Sequence, residues 1–274
     1  MPFVKLKNKK IFAIVEARSS SKRLKGKILK KLDKKNKLID YVISNLLKSK
    51  YFTHENIIIA TTLNKNDDKF CNYLKTYHSK IQIFRGPETN VFKRIFLCSN
   101  KFKKNFNLRY TADNPFVDPI MIDKFIDYYF NNKLDYLSSR TMDHTDLWDL
   151  SSQYPQGLSI EIYKKKMMDK VYSKVNAKNM DYPTWFFYTG KFKFKIDGFP
   201  LLRQYGKYEN IKYTRVTIDT NKDISFIKKL IKNFKLKPGI NNFLKISKII
   251  KKKKLTLINI NQKIKLAHQV IYKR

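Results

Sequence analysis

The stretch Ile11-Phe12-Ala13-Ile14-Val15-Glu16-Ala17-Arg18-Ser19-Ser20-Ser21-Lys22-Arg23-Leu24-Lys25-Gly26-Lys27 decides how the chain is read. Its first five residues are a short apolar run, β-branched enough to be a buried parallel strand. The run then breaks into a segment with three serines, two arginines and three lysines. Small hydroxyl residues let backbone N–H groups turn toward a ligand, and the cations around them suit a polyphosphate. The same composition also describes an ordinary solvated turn. The rest of the chain has to choose between the two.

The chain has 274 residues, 42% of them hydrophobic and 14% aromatic, which argues for a packed globule and against disorder. With 59 basic and 22 acidic side chains the formal charge is +37. A field of that size attracts polyanions, so a nucleic-acid-binding protein stands as an alternative function. The lysines are scattered over every segment, however, alongside many Asn and Ile, a pattern that codon bias in an AT-rich genome also produces. No specific nucleic acid is expected as a partner. Two cysteines, Cys71 and Cys98, stand far apart and make neither a disulfide framework nor a zinc set. Without a signal-peptide h-region or an apolar run of membrane-spanning length, a cytoplasmic protein is expected.

Further along, apolar spacing predicts helix over 28–32 and 38–51, strand over 56–62, helix over 67–77 and strand over 81–84. Helix over 91–102 and strand over 106–110 follow, the latter ending in Thr111-Ala112-Asp113-Asn114-Pro115. Strands alternating with helices imply an α/β protein with a mostly parallel, helix-flanked sheet. Ligands of such sheets sit beyond the carboxyl ends of the strands, where the basic loop, Arg85-Gly86 and Asp113 would all lie. Helix is predicted over 121–130 and 164–175, and strand over 135–138, 158–163, 192–196 and 213–219. Asp219-Thr220-Asn221-Lys222-Asp223 is a capping sequence for a helix over 224–234. Pro238-Gly239 marks a boundary, giving a main domain over 1–235 and a basic, helical, peripheral extension over 236–274 packed on it.

Asp113 and Asp219 each close an apolar strand and arrive from distant positions at the same rim. Two carboxylates so placed suit Mg²⁺, which takes a few carboxylates, waters and substrate phosphates. Each taken singly also reads as a helix N-cap. His144, flanked by Asp143 and Asp146, lacks further ligands at metal spacing and reads as a polar loop. Trp148 and Trp185 read as core or pocket-wall aromatics, and Lys251 to Lys254 as a solvated helical face.

At this point the sequence resembles the cytidylyltransferase family of spore coat polysaccharide biosynthesis protein F, itself similar to the synthetases that activate 3-deoxy-manno-octulosonate and sialic acids as CMP-sugars. The family's opening A-R-x-G-S-x-R-L-P-x-K stands here as Ala17 to Lys27, and its A-T-T/S as Ala60-Thr61-Thr62, followed by the acidic pair Asp67-Asp68. Its F-R-G-S-E-x-D-V-L-x-R segment is Phe84 to Arg94, and its R-x-T-G/A-D-x-P-x-x-D-P is Arg109 to Pro119. P-x-G-L-x-x-E matches Pro155 to Glu161, and V-D-T-x-x-D matches Ile218 to Asp223. Motifs in this order are far more specific than a lone pattern.

The resemblance implies a nucleotide-diphospho-sugar transferase fold, which is glycosyltransferase-A-like and Rossmann-like. It also implies roles. Ala17, Arg18, Ser20, Ser21, Arg23 and Lys27 would hold the triphosphate of CTP, with Arg18 and Lys27 stabilising charge on the phosphates. Asp113 and Asp219 would hold Mg²⁺, completing a catalytic set with Arg18 and Lys27. Thr61, Thr62, Arg85 and Thr111 would contact the nucleotide, and Gln156, Gly157, Glu161 and Tyr182 the acceptor. That acceptor would be an acidic keto-sugar or a sugar phosphate, and Gln156 and Ser159, standing where many relatives have Asp, point to a different sugar from theirs. Relatives of this kind often pair, so the resemblance also implies a homodimer. A catalytically inactive sugar-nucleotide binder is a further alternative.

Overall fold

Ile11–Glu16 forms β1, in the middle of a seven-stranded sheet. In this computed structural model the described residues are 11–21, 23–103, 105–139, 157–174, 184–188, 192–198 and 216–253. The predicted positions Gln156 and Tyr182 lie outside them, as do His144 with its acidic neighbours, Trp148 and the tail from 254 onward.

The chain runs β1, α1 (Leu38–Lys48), β2 (Ile57–Thr62), α2 (Asp68–Tyr77), β3 (Gln82–Gly86), α3 (Val91–Phe102), β4 (Phe106–Thr111) and α4 (Pro119–Asn131). There follow β5 (Tyr136–Ser138), β6 (Ile160–Lys164), α5 (Lys165–Lys174), a single turn α6 (Trp185–Tyr188), β7 (Ile196–Gly198), α7 (Asn221–Phe234) and α8 (Asn242–Lys253). The strand order is β3-β2-β1-β4-β6-β5-β7. Strands β3, β2, β1 and β4 are parallel, β6 is antiparallel to both neighbours, and β7 is parallel to β5. The α/β reading with a mostly parallel sheet is what the structure has.

Alternation along β1 explains why its apolar run is continuous. Ile11, Ala13 and Val15 face a core shared with α1, α2, α4, α7 and α8. Phe12 and Ile14 face a second core with Phe92, Ile95 and Cys98 of α3 and Met167, Met168 and Val171 of α5. A strand covered on both sides has no polar face.

Several predicted elements shift. The expected helix over 28–32 is one 3-10 turn, Lys27–Leu29, because Asp33 draws the chain into a tight return by accepting the amides of Lys35 and Asn36. β3 runs on to Gly86, so Arg85 is a strand residue and not part of a closing turn. β7 begins at Ile196, where a partner exists in Tyr136 of β5, and not at Phe192. The expected strand ending at Asp219 is not a strand over its described residues, Val216–Asp219. The lateral edges of β4 are already taken by β1 and β6, and this segment instead crosses beyond the strand's end, where the Ile218 amide donates to the Asp113 carbonyl at 2.9 Å. The start of the C-terminal segment packs on the main domain, with Leu236, Phe243 and Ile246 buried in the main core. Burying side chains of this size is worth about 1.5–3 kcal/mol each. Among the described residues, no helix is long and apolar enough to cross a membrane.

Gly157 sits where β6 is approached, with φ +106°, and a Cβ there would lie 2.4 Å from the Thr217 nitrogen and 2.6 Å from the Val216 carbonyl carbon. Only glycine lets this backbone pass the segment that delivers Asp219. Gly157→Ala is therefore expected to cost at least about 1–3 kcal/mol from backbone strain alone, measured by urea unfolding. Wild-type stability in that variant would show that the close approach is not required.

Candidate active site

Lys27 opens the turn after the basic loop, and its side chain reaches inward where the sheet ends. Its ammonium donates to Asp113 Oδ2 at 3.0 Å, to the Ile218 carbonyl at 2.9 Å and to Asp219 Oδ1 at 3.3 Å. Three donors meet three acceptors. Arg23 adds a bond to the same Asp219 oxygen at 2.9 Å. Burial by itself would lower the pKa of Lys27, but the charges and hydrogen bonds of Asp113 and Asp219 outweigh it and raise the pKa above its ordinary value. Lys27 is thus a fixed cation at neutral pH.

The helix-cap alternative for the two aspartates does not hold. Thr220 is the N-cap of α7, with Asp223 returning to the Thr220 amide at 2.8 Å and to the Asp219 amide at 3.0 Å. Asp118 precedes α4. Asp113 and Asp219 are left to converge on Lys27. As a donor set, two hard carboxylates with no third acid match the few-carboxylate habit of Mg²⁺, whose remaining ligands are water and phosphate. Among the described residues no cluster of three or more acidic, His or Cys side chains forms an all-protein metal cage.

The loop that leads to Lys27 is shaped by Asp67, a fully buried carboxylate. It accepts the Ser19 amide at 2.6 Å, the Thr61 hydroxyl at 2.9 Å, the Thr62 amide at 3.1 Å and the Thr62 hydroxyl. Burial would raise its pKa, yet these bonds hold it below the usual carboxylate range. At the far end of the loop Gly26 takes φ +65° and its amide donates to the Ser19 carbonyl at 2.9 Å. Between these ties, the amides of Ser20, Ser21 and Arg23 have no acceptor among the described residues. The Ser20 hydroxyl is buried without a well-formed hydrogen bond. It lies beside Glu88, whose carboxyl Ser20 and Asn64 hold below its usual range. Ala17 is buried, its amide on the Ala60 carbonyl at 3.3 Å, and Arg18 reaches the Glu88 carbonyl at 3.4 Å. Amides without an acceptor among the described residues and two partly exposed arginines are what an anion would meet.

The remaining predicted residues separate from this group. The Thr61 and Thr62 hydroxyls are buried on Asp67, so these side chains set the loop and present no free group toward a nucleotide. Arg85 directs its donors to the Thr62 carbonyl at 2.8 Å, the Asn64 carbonyl at 2.9 Å and Asp68 at 2.7 Å, bracing the turn after β2. Thr111 ends β4 and accepts Asn114 Nδ2 at 2.6 Å. Gly157 packs on the Val216–Thr217 backbone. Glu161 belongs to a cluster that sequence reading did not assemble. Arg109 binds Glu16 in bidentate fashion at 2.6 and 3.0 Å and Glu161 at 2.5 Å. Tyr136 and Thr184 donate to Glu161 at 2.8 and 2.9 Å. Burial would lower the pKa of Arg109, but the two glutamates more than compensate and it stays charged. The signal was present: a charged residue inside an apolar strand covered on both faces must be paired.

With this geometry in hand, the sequence compares directly with known proteins. The sequence model of the cytidylyltransferase family matches residues 12–250. The chain belongs to that family. An uncharacterized protein of Methanocaldococcus jannaschii is 32% identical over 232 residues, covering 83% of this chain and 85% of that protein. The spore coat polysaccharide biosynthesis protein SpsF of Bacillus subtilis is 34% identical over 130 residues, 46% of this chain and 52% of that one. Among solved structures, a cytidylyltransferase from Leptospira borgpetersenii superposes with a TM-score of 0.75 at 23% identity, covering 92% of this chain and 98% of that one. The fold is the nucleotide-diphospho-sugar transferase fold, and the protein is a nucleotidyltransferase.

Removing Arg109 would strand two buried carboxylates. Arg109→Leu is expected to lose about 3–5 kcal/mol of stability. The loss should shrink as pH falls, because stranded carboxylates have raised folded-state pKa values and the folded state then takes up protons ahead of the unfolded chain. Denaturant melts across the acid range check this, and a pH-independent or negligible loss would contradict the cluster's role.

Proposed function

We propose that this cytidylyltransferase couples CTP to a small sugar acceptor, an acidic keto-sugar or a sugar phosphate, with release of pyrophosphate, in the synthesis of a surface polysaccharide. The observation that carries the reading is the convergence of Asp113 and Asp219 on Lys27 beside a loop whose Ser20, Ser21 and Arg23 amides have no acceptor among the described residues. The similarity to SpsF supports the polysaccharide setting.

In the reaction an acceptor oxygen, a hydroxyl of a keto-sugar acid or a phosphate oxygen of a sugar phosphate, forms a bond to the α-phosphorus of CTP while the bond from that phosphorus to the bridging oxygen breaks; pyrophosphate leaves with the electron pair, and the proton of a hydroxyl acceptor passes to solvent. Such transfers need positioning and charge stabilisation more than covalent chemistry from the protein. The amides of Ser20 and Ser21 would bind phosphate oxygens, and Arg18 and Arg23 would neutralise the leaving pyrophosphate. Lys27 would fix both carboxylates and supply a permanent positive charge near the reacting phosphate. Asp113 and Asp219 would hold Mg²⁺, which would neutralise phosphate charge and orient the nucleotide. Glu161 and Gly157 act behind the acceptor side, one by holding Thr184 and the other by seating the Asp219 segment.

Pyrophosphate release should be assayed with each of the four NTPs, Mg²⁺ and a panel of keto-sugar acids and sugar phosphates, with Asp113→Ala and Asp219→Ala alongside. Turnover is expected with CTP above the other NTPs, falling to background in both variants. Equal turnover with all four NTPs, or full activity in either variant, would overturn the proposal.

A further inference from the structure

The loop that carries Asp113 into α4 is held from an unexpected side. Asp118 stands at the N-cap position of α4 but makes no side-chain bond to that helix. Instead this buried carboxylate accepts the Phe243 amide at 2.9 Å through Oδ1 and the Leu244 amide at 2.9 Å through Oδ2. Those amides open α8, where an anion is stabilised both by unsatisfied donors and by the helix dipole. A second bridge runs parallel to it. Asn45, fully buried in α1, donates to the Pro115 carbonyl at 2.9 Å and accepts the Gly239 amide at 3.1 Å. Asn241 accepts the Ile120 amide at 3.2 Å. Gly239 takes φ +71°, and a Cβ there would meet Lys48 Cγ at 3.0 Å and the Ser44 carbonyl oxygen at 3.2 Å, so the chain passes α1 closely. Within the loop, Tyr110 donates to the Asn114 carbonyl at 2.8 Å.

All of these bonds but the one from Gly239 to Asn45 land on residues 114–120, from the residue after Asp113 to the first turn of α4. The loop is fixed at four points, Asn114, Pro115, Asp118 and Ile120, by polar groups of β4, α1 and the segment that enters α8. The side chain of Asp113 meets only one described partner, Lys27, so its direction depends on how its backbone is set.

We propose that Asp118 and Asn45 are positioning residues for Asp113, and that the segment 239–244 with the start of α8 is the anchor that sets the Asp113 loop. The C-terminal segment is in this sense part of the nucleotide–metal site although none of its described residues touches that site. The proposal rests on the reading that Asp113 holds the nucleotide's metal, and its test separates the two.

Binding of Mn²⁺ in the presence of CTP, followed by the electron paramagnetic resonance of free Mn²⁺, reports metal affinity without turnover. It is to be measured for the full-length wild type, Asp118→Asn, Asn45→Ala and Leu74→Ala, the last a core truncation in α2. Loss of a residue that orients a metal ligand costs about 10–100-fold in affinity. That loss is expected in Asp118→Asn and Asn45→Ala, and not in Leu74→Ala at a comparable fall in melting temperature. Asn241→Ala removes an exposed side chain and only the Ile120 bond, and should shift Mn²⁺ binding the same way by less while remaining folded. Wild-type affinity in the Asp118, Asn45 and Asn241 variants, or an equal loss in Leu74→Ala, would overturn the proposal. Failure of the wild type itself to take up Mn²⁺ with CTP would instead overturn the functional reading on which the proposal stands.

Discussion

A single buried ammonium organises this molecule's working edge. Lys27 brings together a loop leaving β1, the residue that follows β4 and the segment that enters α7, parts of the chain separated by 86 and 192 positions. None of the three charges could be buried alone, since the desolvation cost of each amounts to several kcal/mol. Together with Arg23 they balance, two cations against two carboxylates. Such a pairing does not by itself argue for great stability. Its value is geometric: it fixes two acids at one point of a sheet edge where the fold places its ligands.

Around that point the charged groups divide their labour. Asp67, Arg85 and the Glu16–Arg109–Glu161 cluster are fully engaged with the protein and hold strands, turns and loop ends in register. The partly exposed Arg18 and Arg23 and the amides of Ser20 and Ser21 keep donor capacity that no described residue takes up. A phosphate-binding loop requires this contrast, because donors already committed to the protein cannot also receive a ligand without first breaking those bonds. The tie from Asp67 to the Ser19 amide is instructive. It removes one amide from the anion's reach and in return fixes the turn that presents the next ones.

How much of this could be read from the residues depends on the range of the interaction. Continuous apolar runs such as Ile57 to Ala60, and the helical spacing of Val91 to Phe102, are local patterns, and they located the strands and helices of the parallel sheet within a residue or two, except that α1 ends at Lys48, three residues short of the expected Tyr51. Asp113 and Asp219 were legible as site candidates because each follows an apolar run with the pattern of a strand, although only the run before Asp113 is one. The partners were not. That Thr61 and Thr62 would turn to Asp67, that Arg85 would brace a turn, or that Asp118 would bind the amides of α8 and make no side-chain bond to its own helix depends on contacts across up to 126 positions. Periodicity carries no information about such pairings. Val216 to Ile218 show the converse: the apolar pattern of a strand was present, but these residues are in no strand and cross beyond the end of β4, whose two edges are already paired.

The most direct measurement of the central claim is a crystal structure of the protein with CTP and Mn²⁺, with the metal located by its anomalous scattering. The account predicts a peak within coordinating distance of both Asp113 and Asp219, and the triphosphate on the loop Arg18–Arg23. A metal elsewhere, or a nucleotide bound away from this loop with Lys27 still closing both carboxylates, would contradict it.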